Sequence, residues 1–272
     1  MSTPEQLALW AGAACYAIAA ASLLLPRAPR RDGVVAGPLP AGLLPAALLP
    51  AALLLGALLL AVAIAARWSQ FGQGPFLTLY EILLSNAFSL GLLYAALYRL
   101  YPPARPGAPG AIAVLLLLTG WALAADKASV PLPPTFDNPW LWAHVLLGKL
   151  FLGCALAAFG LAVHRLCGGR QPAAAMWQLL ALAFVFDSLM ITTGAAWAQD
   201  AWGRFWGWDP VEVWALLTWL SAAIALHVRS TLSLPGWAGA GMVALVFGLA
   251  FLTFFGVPLL NQVPHQGVVL PG

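Results

Sequence analysis

Four tryptophans fall within twelve residues, at Trp197, Trp202, Trp206 and Trp208, interleaved with Gly203 and Gly207. Trp214 and Trp219 follow on the next apolar run. Tryptophan offers a large flat apolar face with one N–H at its edge. Glycine removes the side chain where a backbone must approach something closely. Aromatics also gather at membrane interfaces as anchors, but that accounts for only one or two of these. So dense a cluster reads as a shelf for a wide, planar, apolar ligand with polar edges. It runs into Asp209-Pro210-Val211-Glu212, the pattern of a helix start: a capping aspartate, a proline at the first helical position and a glutamate three residues on. Asp209 thus has a structural role, anchoring the shelf to the next helix, that outweighs direct ligand contact. Arg204 is the cation of this stretch, and either Asp200 or an acidic ligand edge can pair with it.

Composition says where such a shelf sits. Of 272 residues, 62% are hydrophobic and 8% charged, and the mean hydropathy is +0.88. A soluble domain carries roughly a quarter charged residues, so a water-soluble globule and a disordered chain are excluded. The net charge of +3 comes from scattered Lys and Arg, not the clustered basic face that binding nucleic acid requires. A spanning helix needs about 20 mostly apolar residues. Eight segments meet or approach that, roughly 5–25, 41–66, 76–98, 111–126, 139–165, 175–197, 210–228 and 237–260. The fourth is short, and Pro45 and Pro50 interrupt the start of the second. The expected fold is an all-α polytopic membrane protein of about eight transmembrane helices. It forms a single domain over 1–272, with a tryptophan-rich loop at 197–210. No Lys or Arg precedes the first apolar run, and a secretory signal needs a positive start, so 7–25 reads as an uncleaved span. Cys15, Cys154 and Cys167 form no C-x-x-C pair and read as small apolar fillers.

Cation placement orients the spans. Arg27, Arg30, Arg31, Arg99, Arg105, Arg165, Arg170 and Arg229 fall on one side, against Arg67, Lys127 and Arg204 on the other. The richer side is expected to be cytoplasmic, which puts both termini and the tryptophan loop outside, in a periplasm or its equivalent.

Trp202-Gly-Arg-Phe-Trp-Gly-Trp-Asp-Pro210 resembles the "WWD" signature of the haem-handling proteins of cytochrome c biogenesis. Its continuation through Val211-Glu-Val-Trp-Ala-Leu-Leu-Thr-Trp-Leu220 to Leu226-His-Val-Arg229 is similar to the CcsA (ResC) branch. Gly74-Pro75 through Leu79-Tyr-Glu-Ile82 and Asn138-Pro-Trp-Leu-Trp-Ala-His144 are weaker matches. Together they cover most of 70–265. Val211 and Val213 depart from the Lys and Thr usual in that branch, and the residues around His265 differ as well. Within this family, Trp202, Gly203, Trp206, Gly207, Trp208 and Asp209 would make the haem shelf.

In a site of the kind this resemblance implies, haem iron would take imidazole ligands above and below the ring. His144, in the second turn of the fifth helix, lies about 7 Å below its edge, and His265 follows the eighth; both share the side of the loop. The resemblance implies that they are the two outward-facing ligands. For His265, a tail residue without a ligand role is the alternative. His227 is about 22 Å deeper than Glu212, on a stripe with Leu216, Trp219 and Ala223. It is either a satisfied polar residue or, as the family implies, part of an inner haem site completed by a partner. His164 is interfacial. Glu81, Lys149 and Asp187 lie within spans, where charges pair or line polar paths. Pairing of Lys149 with Glu81 or Asp187 is the simpler expectation, and an acidic ligand group the alternative.

The resemblance implies a protein that binds haem b and presents it for attachment to the C-x-x-C-H segment of apocytochrome c, whose thiols add to the haem vinyl groups. The partners implied are a CcsB (ResB)-like membrane subunit and a thiol-disulfide reductant. The location implied is the bacterial inner membrane. The chain could then be a subunit of a cytochrome c synthase (haem lyase). The competing readings are a permease for a small apolar solute, which predicts an internal repeat that the sequence lacks, and a haem-transfer paralogue with another acceptor.

Overall fold

A computed structural model describes residues 3–25, 43–74, 77–170 and 173–260, and among these it is helical with no strand. The long helices are α1 (Thr3–Ser22), α2 (Leu43–Phe71), α3 (Leu79–Leu100), α4 (Ala108–Ala124), α5 (Pro139–Leu166), α6 (Ala174–Trp202), α7 (Pro210–Thr231) and α8 (Gly236–Phe251). A π-helical turn, Leu252–Gly256, and the short helix Val257–Leu260 extend α8. Seven of these segments are long and apolar enough to cross a membrane, and the chain is a multi-pass membrane protein. The short fourth segment reaches spanning length because a 3-10 turn, Pro102–Gly107, feeds directly into α4. Pro50 lies inside α2; buried helices tolerate such a proline when neighbours restore the lost backbone bond.

Apolar chains do not drive helices together inside lipid, so close packing of small residues does. α5 packs along α6, and α1 along α2. The buried face of α5 carries Gly153, Cys154, Ala155, Ala157, Ala158, Gly160 and Ala162. Tyr16 OH donates to the Ala87 carbonyl at 2.9 Å, tying α1 to α3. Exposed tryptophans mark both ends of the bundle: Trp68, Trp140, Trp142 and Trp208 at one, Trp237 at the other. This is the distribution expected of interfacial anchors.

α6 continues to Trp202, where Gly203 (φ 73°) caps it in the left-handed conformation. Nothing before Gly203 breaks the helix. Trp197 and Trp202 are therefore helical, and the irregular part of the 197–210 stretch is 203–209. The end of the bundle carrying this loop also holds the start of α5, the 125–138 connection and the start of α3.

Candidate functional site

Asp209 caps α7 as its spacing predicted. Its carboxylate accepts from Glu212 N at 3.0 Å, and Glu212 Oε2 accepts from Asp209 N at 3.2 Å and Gly207 N at 2.8 Å. Glu212 so gathers the loop onto the helix. The connection strains one residue, since Trp208 adopts φ 58°, a region that costs a non-glycine residue about 1 kcal/mol or more. Trp208 projects outward, 71% exposed, and Trp206 packs edge-on to it at 5.9 Å.

On the inner side of this loop is a cavity of about 230 Å³. Phe136, Trp197, Phe205, Trp206 and Phe254 supply aromatic wall; His144, Lys149 and Glu212 supply the titratable groups. Of the shelf residues that the resemblance implies, only Trp206 lines it, joined by Trp197 of the tryptophan cluster. Trp202 instead packs beneath Trp197 at 4.9 Å, within a small cluster of Leu77, Phe136, Leu141 and Trp197. Gly203, Gly207, Trp208 and Asp209 shape the loop without lining the cavity. Trp206 Nε1 is buried with no hydrogen-bond partner among the described residues, and so keeps a donor for a ligand.

His144 is the imidazole of this cavity. Asn138 caps α5, accepting from Trp140 N at 2.8 Å, and its amide donates to Asp200 at 3.2 Å. The start of α5 is thereby tied to the end of α6. His144 Nδ1 lies 2.9 Å from the Met190 carbonyl oxygen. A carbonyl can only accept, so the bond assigns the proton to Nδ1 and makes Nε2 the basic nitrogen. Second-shell carbonyls orient metal-binding histidines in the same way. The ring stacks on Trp197 (6.2 Å, 24°) and lies against Gly194, where an added Cβ would come within 2.7 Å of Nδ1. Trp197 is fixed in turn by donating Nε1–H to Thr135 O at 2.9 Å. Met190, Gly194 and Trp197 share one face of α6 at helical spacing, the signal that identifies them as the histidine's seat.

The charges within spans resolve differently from the expectation. Arg67, 1% exposed, bonds Glu81 at 2.7 Å and Glu5 at 3.4 Å, and donates to the carbonyls of Lys127 and Ala128 at 3.2 Å. Tyr80 OH donates to Glu5 at 3.0 Å. Glu81 also closes a capping box with Thr78 at the start of α3. Glu81 thus belongs to an anchor joining α1, α2, α3 and the 125–138 connection, and it leaves Lys149 without that partner. Asp187, fully buried, has no hydrogen-bond partner among the described residues. Nor does Arg204 pair with Asp200, which takes Asn138 instead.

His227 is exposed on α7 near its far end and lines neither of two cavities, the one above and one at that end bounded by Arg165 and Arg229. His164 is half-buried against Gly169. His265 lies outside the described residues; Pro258, seven positions before it, lines the His144 cavity.

Fold and site together define a class: a helical membrane protein with an aromatic-walled imidazole cavity under a tryptophan-rich loop. The chain belongs to the cytochrome C assembly protein family, which residues 39–265 match. A Chlamydomonas reinhardtii protein named cytochrome c biogenesis protein CcsA is 32% identical over 226 residues, 75% of this chain and 63% of that protein. The Nymphaea alba protein of the same name is 28% identical over 246 residues, covering 75% and 80%. The solved structure of cytochrome c haem lyase CcmF shares the fold, with a TM-score of 0.70 at 19% identity over 94% of this chain and 47% of that one. This chain therefore spans less than two-thirds of the algal protein and less than half of the lyase.

Proposed function

We propose that this protein holds haem b beneath the 203–209 loop and presents it for covalent attachment to apocytochrome c. The observation that carries the reading is His144, which lines an aromatic cavity and whose Nδ1 bond to Met190 O makes Nε2 its basic nitrogen. The residues fit such cargo: an imidazole for iron, Trp197 and Trp206 for the macrocycle, an unused indole N–H and a lysine for polar edges. The cavity is smaller than the roughly 300–1,000 Å³ of sites for drug-sized ligands. Entry of a porphyrin thus requires outward movement of Phe205 and Trp206, the part of the wall outside any helix. His265 is the opposing ligand in this reading, since Pro258, seven residues before it in sequence, lines the cavity. Exposed Trp208 and Phe205 offer the acceptor an aromatic surface.

His227, exposed on the bundle face, fits an inner haem site shared with a CcsB-like subunit. A thiol-disulfide reductant keeps the acceptor cysteines reduced. The loop faces the periplasm of a bacterial inner membrane, as the cation distribution implies. The protein's own contribution is ligation, position and exclusion of competing chemistry.

In a host deleted for its own copy, the wild-type chain restores haem-stained c-type cytochromes and His144→Ala does not; equal restoration by both would overturn the reading. Gly194→Ala crowds the imidazole while keeping a helix-compatible residue. It should lower haem affinity about tenfold or more, the scale of disturbing a ligand's second shell, as measured by spectrophotometric titration; unchanged affinity would remove His144 from the ligand set.

A further inference from the structure

Lys149 lies five residues, about 7.5 Å of helical rise, beyond His144 and lines the same cavity. Its Nζ donates to Ser85 Oγ at 3.1 Å and Ser89 Oγ at 3.5 Å on α3. Both hydroxyls spend their own protons on backbone carbonyls, Ser85 on Ile82 and Ser89 on Asn86. Their lone pairs are therefore what they show the lysine, and they hold it as a donor. An ammonium has three N–H groups, and two neutral hydroxyls do not balance its charge.

No carboxylate among the described residues lies within 4.0 Å of Nζ. Glu81 is committed to Arg67 and to the α3 cap. A cation inside a membrane bundle is costly unless it meets an anion or a polar path. Here it stands on the wall of a mostly aromatic and aliphatic cavity, so the anion that suits it is one carried by an apolar ligand.

We infer that Lys149 is the ion-pairing partner of a carboxylate on the ligand of the His144 cavity, so that the site selects an amphiphilic tetrapyrrole bearing free propionates. This rests on the haem reading above and adds the orientation of the ligand: carboxylate edge toward Ser85, Ser89 and Lys149, deep in the bundle.

The test titrates the full chain, purified in detergent and stripped of ligand, with haem and with haem dimethyl ester, whose propionates carry no charge. Wild type should bind the free acid about 10- to 100-fold more tightly, the range for a hydrogen bond to a charged group. Lys149→Met and, as a polar alternative, Lys149→Gln should bind the two forms equally, while Lys149→Arg keeps the preference. All three should retain the wild-type ligation spectrum at saturation. Equal binding of acid and ester by wild type overturns the pairing even if no variant folds, and so does a preference that persists in Lys149→Met. Wild type that binds neither porphyrin overturns the haem reading itself. Binding of both without discrimination leaves that reading standing and removes Lys149 from it.

Discussion

His144→Ala should lose haem affinity by about 100-fold or more, exceeding the cost of disturbing a metal ligand's second shell. Added imidazole should restore part of the spectrum. The reasoning rests on three contacts. Met190 O assigns the Nδ1 proton, Trp197 supports the ring face, and Gly194 leaves room for the ring against α6. Truncation leaves these supports in place and opens a slot the size of an imidazole, which is why exogenous imidazole can enter. The Met190 carbonyl would then orient the added ring as it orients the native one. His144→Ala protein that binds haem with wild-type affinity and an unchanged spectrum would show that the iron ligand lies elsewhere.

Arg67→Met should produce the largest loss of stability, about 3–5 kcal/mol, the range for removing one partner from a buried ion pair. Two carboxylates, Glu5 and Glu81, lose their counter-charge, and the Lys127 and Ala128 carbonyls lose their donors. The effect should reach the site, because this anchor fixes one end of the connection whose Thr135 and Phe136 hold Trp197. Haem affinity should fall along with the unfolding temperature. The combined variant Arg67→Met, Glu5→Gln, Glu81→Gln removes the stranded charges and should recover much of the lost stability. Thermal unfolding in detergent checks both; a single variant as stable as wild type would show that the cluster anchors nothing.

Apolar run lengths located the helices because lipid demands a continuous apolar stretch with its backbone bonds satisfied internally. Asp209-Pro210-Val211-Glu212 was equally legible, since a capping box is local chemistry within four residues. The same signal stands at Thr78-Leu79-Tyr80-Glu81, yet Glu81 reads from its position as a charge within a span. Read as a cap, it belongs to a helix end, where the structure has it. Its pairing with Arg67 could not be read, because residues 14 apart meet only through the packing of α2 on α3.

The tryptophans show where local reading stops. Their density marked the right end of the molecule, but which of them face the cavity depends on where α6 ends and how α7 begins. Helix continuing to Trp202 turns that side chain into the Trp197 cluster, and of the two tryptophans in the irregular segment only Trp206, beside Phe205, reaches the cavity. Nothing local marks Gly194, Met190 and Trp197 as the seat of His144, because they lie some 50 residues away in sequence. They reach it through the antiparallel register of α5 and α6. His265 carries half of the proposed ligation and lies outside the described residues; its part rests on family resemblance and on Pro258, seven residues earlier, lining the cavity.

The visible absorption spectrum of the wild-type chain, purified in mild detergent from cells with ample haem, tests the central claim most directly. The account predicts bound haem in stoichiometric amount, with a sharp Soret band and resolved α and β bands on reduction, the signature of two imidazole ligands. A folded, colourless preparation that takes up no added haem would contradict it.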